Sequence, residues 1–186
     1  MSQDVNSLMT DFAAIPDKLA VDAGKYLCTV VGVDPKKSAN APGTVMFAPQ
    51  FEITHDIDQK TGNITPSQSA GAMVFDSFLP FCIDPTGKMS NHQKKMALAK
   101  TKRLLMAVNF TPDMAAMAAS GPTPDQIVET LKASFVPQML QKQVVVSVGV
   151  DKDGRNRVND YDVFTGPGGA AGGAPATAPA TAPPTA

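Results

Sequence analysis

The chain has 186 residues and a mass of 19.4 kDa, which suits one ordinary domain with an appended segment. Lys plus Arg number 16 and Asp plus Glu 17, for a formal charge of −1, so a uniformly basic, histone-like binder is excluded and any anionic partner must meet a local patch. Cys28 and Cys82 stand alone in sequence, which excludes both a CxxC zinc site and a disulfide framework and makes a reduced cytosolic compartment the simplest reading.

Residues 1–21 read as a partly ordered N-terminal arm, either docked on the domain through Phe12 and Ile15 or free. Asp4, Asp11 and Asp17 interrupt it, so it lacks the apolar core of a secretory signal. No apolar run approaches the roughly 20 residues needed to cross a bilayer, and a cytoplasmic protein with no membrane partner is expected. Residues 22–165 read as one domain. Tyr26 to Val33 is β-branched and apolar, and Gly24 and Asp34-Pro35 bracket it as turn signals. In Val45 to Thr54, Val45, Phe47, Phe51 and Ile53 share one face at period two. Pro49 has no N–H to donate, which puts this strand at an edge or bulges it there. Asp56 to Ser69 is polar, contains Gly62 and Pro66, and reads as a long hairpin loop. Ala72 to Phe81 is a third strand with less regular alternation.

The period then changes. Ser90 or Asn91 caps a helix that runs to about Val108, with Leu98, Thr101, Leu105 and Val108 as its apolar stripe and Ala97 and Leu104 beside it. Pro124 suits the first turn of a second helix, to about Ser134, and Met114 to Ala119 adds a short turn. Val144, Val146, Val148 and Val150 alternate as a fourth strand with one buried face. Asp151-Lys152-Asp153-Gly154 is a hairpin signal, and Arg157 to Phe164 pairs back as the fifth strand. Gly166 to Ala186 contains only Gly, Ala, Pro and Thr. Such a segment buries too little surface to offset its ordering entropy, so a disordered tail over 166–186 is expected. Five strands with one or two helices between the third and fourth is the element order of a β-rich, OB-like antiparallel barrel.

Familiar catalytic and metal motifs fail on their chemistry. Asp84-Pro-Thr-Gly87-Lys88 approaches a phosphate loop, but Cys82 and Met89 stand where Gly and Ser or Thr are needed. Asp56-Ile-Asp58-Gln-Lys60 starts like a calcium loop, yet Lys60, Thr61 and Ser67 occupy positions that require an oxygen ligand, Gly and Glu. His55 and His92 lie apart without ligand spacing or a nucleophile motif. The expectation is a non-enzyme with no metal and no cofactor.

One feature rises above this background. Between Pro85 and Pro112 there are six positive residues, Lys88, Lys94, Lys95, Lys100, Lys102 and Arg103, and no acid, while the flanking stretches are net negative. A solvated helix face normally mixes in Glu or Asp for i,i+4 support. Its absence points to an anionic partner, with a phosphate backbone as the leading choice. Lys36 and Lys37 after the first strand, and Arg155 and Arg157 in the last hairpin, extend the patch. Single-strand binding also needs stacking platforms. Phe47 and Phe51 sit on the apolar face, and the alternation does not fix the face of Phe75. Tyr26 and Tyr161 are the stacking candidates, because a phenol tolerates a wet face.

Ala23-Gly24-Lys25-Tyr26, Asp76-Ser-Phe78, Lys102-Arg103-Leu-Leu-x-Ala107, the Val144–Val150 run and Asn159-Asp-Tyr161 follow one another in an order that resembles small phage early proteins. Over roughly residues 22–164 the chain resembles OB-fold single-stranded-DNA-binding proteins of phage replication and recombination. That resemblance implies sequence-tolerant binding of single-stranded DNA, with RNA, a second copy of the chain and replication or recombination proteins as further partners. Such proteins often end in an acidic, aromatic-tipped peptide, whereas this chain ends Pro-Pro-Thr-Ala. The alternative is a phage virion or assembly protein whose basic helix contacts an acidic protein.

Overall fold

The computed structural model describes residues 20–40, 43–76, 79–80 and 89–166. Within them one antiparallel sheet holds β1 (Gly24–Lys37), β2 (Val45–Ile57), β3 (Ile64–Pro66), β4 (Met73–Phe75), β5 (Leu79–Pro80), β6 (Gln143–Val150) and β7 (Asn156–Asp162). Between β5 and β6 come α1 (Asn91–Ala107), α2 (Met114–Ala119), α3 (Pro124–Thr130), a π-helical turn (Leu131–Phe135) and α4 (Val136–Met139). The chain is therefore β-rich with an intervening helical layer. None of these helices is long and apolar enough to cross a membrane. The expected arm, Lys88, Cys82, Phe78, Phe81 and nearly all of the expected tail lie outside the described residues.

The strand order is β3-β2-β1-β6-β7, and β4 and β5 pair with β2 as well. That gives seven strands among the described residues where five were expected. The expected third strand divides into β4 and β5, and the expected hairpin loop contributes β3. Pro49 accounts for the division. Its carbonyl accepts from the Asp76 N–H at 3.2 Å, but it has no N–H to return to Asp76, and β4 ends at Phe75. The edge expectation for this strand is thereby corrected, since β2 is flanked on both sides. Its bulge falls on the partner strand, where Val31 is the extra residue between Val30 and Gly32. A second bulge leaves Thr54 unpaired on β2, and its hydroxyl donates to the Leu27 carbonyl at 2.9 Å. Bulges of this kind increase local twist, and the sheet curls. The Phe51 and Tyr161 rings, on β2 and β7, meet at 5.5 Å between centroids, and Cα atoms of β4 and β7 come within 8 Å. The backbone ladder remains open between β4 and β7 among the described residues.

Strict alternation in β2 buries Val45, Phe47, Phe51 and Ile53, as its pattern predicts. They pack with Cys28, Val30, Val74, Val144, Val146 and Val158, against a helical layer that supplies Leu104, Leu105, Val108, Leu131, Phe135 and Met139. Each large side chain fully buried this way contributes about 1.5–3 kcal/mol. In β6 the alternation is incomplete at both ends. Val145, on the face opposite Val144 and Val146, is also buried, and Val150 is exposed at the mouth of the hairpin.

α1 opens with a reciprocal cap. The Ser90 hydroxyl accepts from the Gln93 N–H at 3.2 Å, and the Gln93 side chain accepts from the Ser90 N–H at 2.8 Å. Thr123 and Gln126 repeat the device at α3. The expected helix stripe is corrected at Leu98, which is 41% exposed. The buried positions are Thr101, Leu104, Leu105 and Ala107, so only the C-terminal half of α1 is covered. The second helical stretch runs on to Met139 past the expected end at Ser134. Pro137 cannot donate within it, and the π-helical turn just before absorbs that irregularity.

Candidate nucleic-acid interface

Helical geometry sorts the cations of α1 into two groups. Lys100 and Arg103 lie three residues apart and point at the sheet. Lys100 Nζ donates to the Asp76 carboxylate at 2.7 and 2.9 Å and to the Val158 carbonyl at 2.7 Å. Arg103 pairs with Asp160 of β7 at 2.5 Å. Lys95 and Lys102, seven residues apart and exposed, take another side of the helix, while the half-buried Lys94 lies ahead of Leu98 and Thr101 on the covered side. None of these three has an acidic partner among the described residues, and α1 itself carries no acid.

The Lys100 contact belongs to a buried network. The Asp76 side chain is 1% exposed and that of Lys100 is 19% exposed. The Tyr161 hydroxyl donates to the second carboxylate oxygen of Asp76, and Lys100 Nζ stands 5.7 Å from the Tyr161 ring centroid. One carboxylate thus joins β7, α1 and the residue after β4. Burial, followed by the negative charge of Asp76, pushes the Tyr161 phenol well above its ordinary range. The sequence offered a weak cue for this network, since an isolated Asp inside an apolar strand run needs a buried partner.

The two tyrosine platforms are corrected. Tyr161 is 1% exposed and Tyr26 is 6% exposed, so neither offers a ring face to a base. The Tyr26 hydroxyl donates to the Asp22 carbonyl at 2.8 Å, and its phenol is raised by burial and then by Asp56 and Asp22. Each phenol found a polar partner at the core edge, which let the ring be buried. Among the described residues the strongly exposed aromatic is Phe75 on β4, at 54%.

The loop cations divide as well. Lys36 pairs with Asp34 at 3.1 Å and Lys37 with Asp125 at 2.7 Å. Both lysines are half exposed, so these pairs are worth about 0–1 kcal/mol and exchange readily for a phosphate. Arg155 and Arg157 are exposed and have no acidic partner among the described residues. The hairpin that carries Arg155 forms as its sequence predicts. The Asp151 carboxylate accepts from the Asp153 and Arg155 N–H groups at 2.9 Å each, and Gly154 takes the positive φ of +73°. Asp58 likewise serves a turn, its carboxyl held low by N–H donation from Thr61 and then Lys60.

An apolar groove of about 390 Å³ runs along α1, lined by Leu98, Leu105, Met106, Phe110 and Pro112 with Lys102 at its edge. A second cleft, of about 720 Å³, lies between β4 and the β6–β7 hairpin. Among the described residues no group of three or more His, Cys, Asp or Glu side chains gathers as a metal site. No protein-family model matches the chain, and no curated protein matches it either.

Proposed function

We propose that this chain binds single-stranded DNA through its backbone, without reading sequence and without catalysis. The observation that carries the reading is the outer face of α1, where the exposed Lys95 and Lys102 stand on an acid-free helix without acidic partners among the described residues, with Lys94 at its N-terminal end. Several lysines on one face release counterions together when a polyanion binds. Arg155 and Arg157 are available at the hairpin end of β7, and α1 packs on the same strand. RNA is the alternative ligand of the same chemistry.

The fold reading is an OB-like barrel. In support, the neighbour order β4-β2-β1-β6-β7 returns β7 to the vicinity of β4, and the helical layer falls between the strands that would be third and fourth in such a barrel. A role in phage replication or recombination, in the host cytoplasm, follows from the sequence resemblance and is part of the proposal. So are a second copy of the chain and replication or recombination proteins as partners.

A second reading, an assembly protein that contacts an acidic protein partner, draws on the apolar groove beside Lys102. Fluorescence anisotropy of labelled oligo-dT and of duplex DNA of equal length, at low and moderate salt, separates the two. Salt-sensitive binding to the single strand that Lys95→Glu/Lys102→Glu abolishes supports the first. Absence of binding at low salt removes it and leaves the helix as a protein-contact surface.

A further inference from the structure

Resting on that reading, we infer that the cleft between β4 and the β6–β7 hairpin seats an unpaired nucleobase, stacked on Phe75, with Arg155 placed for the adjoining phosphate. The cleft is lined by Ala20, Met73, Phe75, Asp153, Gly154, Arg155 and Asn156. Its volume of about 720 Å³ lies in the range of small-ligand sites.

Strand geometry explains why Phe75 is available. Val74 points into the core at 1% exposure, so its neighbours Met73 and Phe75 face the other way and are exposed. An isolated exposed Phe needs no explanation. Here, however, a Phe and a Met line one concave wall and an arginine lines the other. The wall opposite is held in place. Asn156 accepts from the Val21 N–H at 2.9 Å and donates to the Val21 carbonyl at 2.7 Å, and Asp151 fixes the turn beneath Arg155.

The charge pattern decides the orientation. Asp153 brings a carboxylate to the same rim as Arg155, so the cleft has no net charge and is a poor site for a bare phosphate. A base is neutral, presents a π face to Phe75 and offers donor groups on its edge toward Asp153. The phosphate then falls on the Arg155 side. The ligand class is thus a single-stranded nucleotide segment, since the bases of a duplex are stacked away from such a cleft.

The test uses the full chain and an unlabelled oligo-dT of about 15 nucleotides, within the span of one such domain. Phe75 is exposed, so its substitution leaves the unfolding midpoint in place. Phe75→Leu is expected to weaken binding about tenfold to a hundredfold, with an unchanged slope of log K against log salt, because no phosphate contact is lost. Phe75→Trp is expected to keep the wild-type affinity. The chain has no other Trp, so that variant reports stacking directly by quenched indole fluorescence. Undiminished binding by Phe75→Leu, or indole fluorescence unmoved by saturating oligonucleotide, overturns the stacking assignment while wild-type binding leaves the broader reading standing. Failure of the wild-type chain to bind at low salt overturns both.

Discussion

Asp76→Asn tests the buried network at its hub. The carboxylate accepts from two donors, the Tyr161 hydroxyl and the Lys100 ammonium. An amide of the same shape has one acceptor oxygen, and its NH₂ must then face a donor. The change also leaves the Lys100 ammonium beside Tyr161 without a counter-charge, held by one amide oxygen and the Val158 carbonyl at 2.7 Å. Removing one member of a buried ion pair costs about 3–5 kcal/mol. The Lys100 side chain is 19% exposed and keeps neutral acceptors, so a loss of about 2–4 kcal/mol is expected for Asp76→Asn. In a domain of this size that lowers Tm by roughly 5–12 °C. Lys100→Met in the Asp76→Asn background removes the stranded charge and should recover part of the loss, with a coupling energy of at least about 1.5 kcal/mol in the double-mutant cycle. Urea unfolding of the four proteins measures all of this. A single-mutant loss below about 1 kcal/mol, or a cycle additive within about 0.5 kcal/mol, refutes the network as a structural element.

Tyr161 makes stability depend on pH at the alkaline end. Its folded phenol is raised above the ordinary value of 10.0, so above pH 10 the native state holds a proton that the unfolded state has lost. Stability from this group is full below pH 10 and falls above it by up to about 1.4 kcal/mol per pH unit. The wild-type minus Tyr161→Phe difference in unfolding free energy should therefore be flat from about pH 7 to 9 and decline beyond 10; a flat difference up to pH 11.5 would contradict it. Cys28 is fully buried and its thiol is pushed up to about 12 by burial. In a Cys82→Ser background an aromatic disulfide reagent at pH 8 should label it at least about a thousandfold more slowly than a free thiol, through unfolding alone; rapid labelling would show an open path to the core. Ser90→Ala removes the hydroxyl half of the α1 cap and leaves the backbone N–H of residue 90 to the Gln93 side chain. It should cost about 1 kcal/mol in urea unfolding, and a change under about 0.3 kcal/mol would mean that the first turn of α1 is frayed in the native state.

Much of the fold was legible because it rests on local periodicity. The alternation in Val45–Ile53, the Asp-Gly hairpin and the Ser90 cap each depend on residues a few positions apart. What failed depends on distant ones. Pro49 was read as marking an edge or a bulge, and nothing local reveals that β4 ends at Phe75, one residue short of the position opposite the missing donor. The loop over Asp56–Ser69 holds β3 because β2 extends to Ile57 and offers it a ladder. Leu98 belongs to the stripe by spacing, yet no element among the described residues covers that end of α1. The site was misjudged at the tyrosines for a related reason. A phenol is as content at a core edge beside Asp76 or the Asp22 carbonyl as on a wet face, and only the partner's position in space decides between them. Phe75 was open in sequence for the same reason, and the burial of Val74 settled it.

The acid-free character of the 85–112 stretch was visible at once, but it conflated two roles. Lys100 and Arg103 find their acids on the sheet, at Asp76 and Asp160; the Lys100 charge is consumed in docking α1 onto β7, while the half-exposed Arg103–Asp160 pair, like those of Lys36 and Lys37, can exchange for a phosphate. A buried lysine already holding three acceptor atoms cannot turn to a phosphate without breaking the fold. Lys95 and Lys102 have no such duty. The helix is therefore acid-free because its counter-charges are supplied by the sheet on one side, while on the other side the described residues supply none. This division gives the basic stretch a sharper meaning than its composition did. Charge reversal at Lys100 should be read out in stability, and charge reversal at Lys95 and Lys102 in the affinity for an anionic partner.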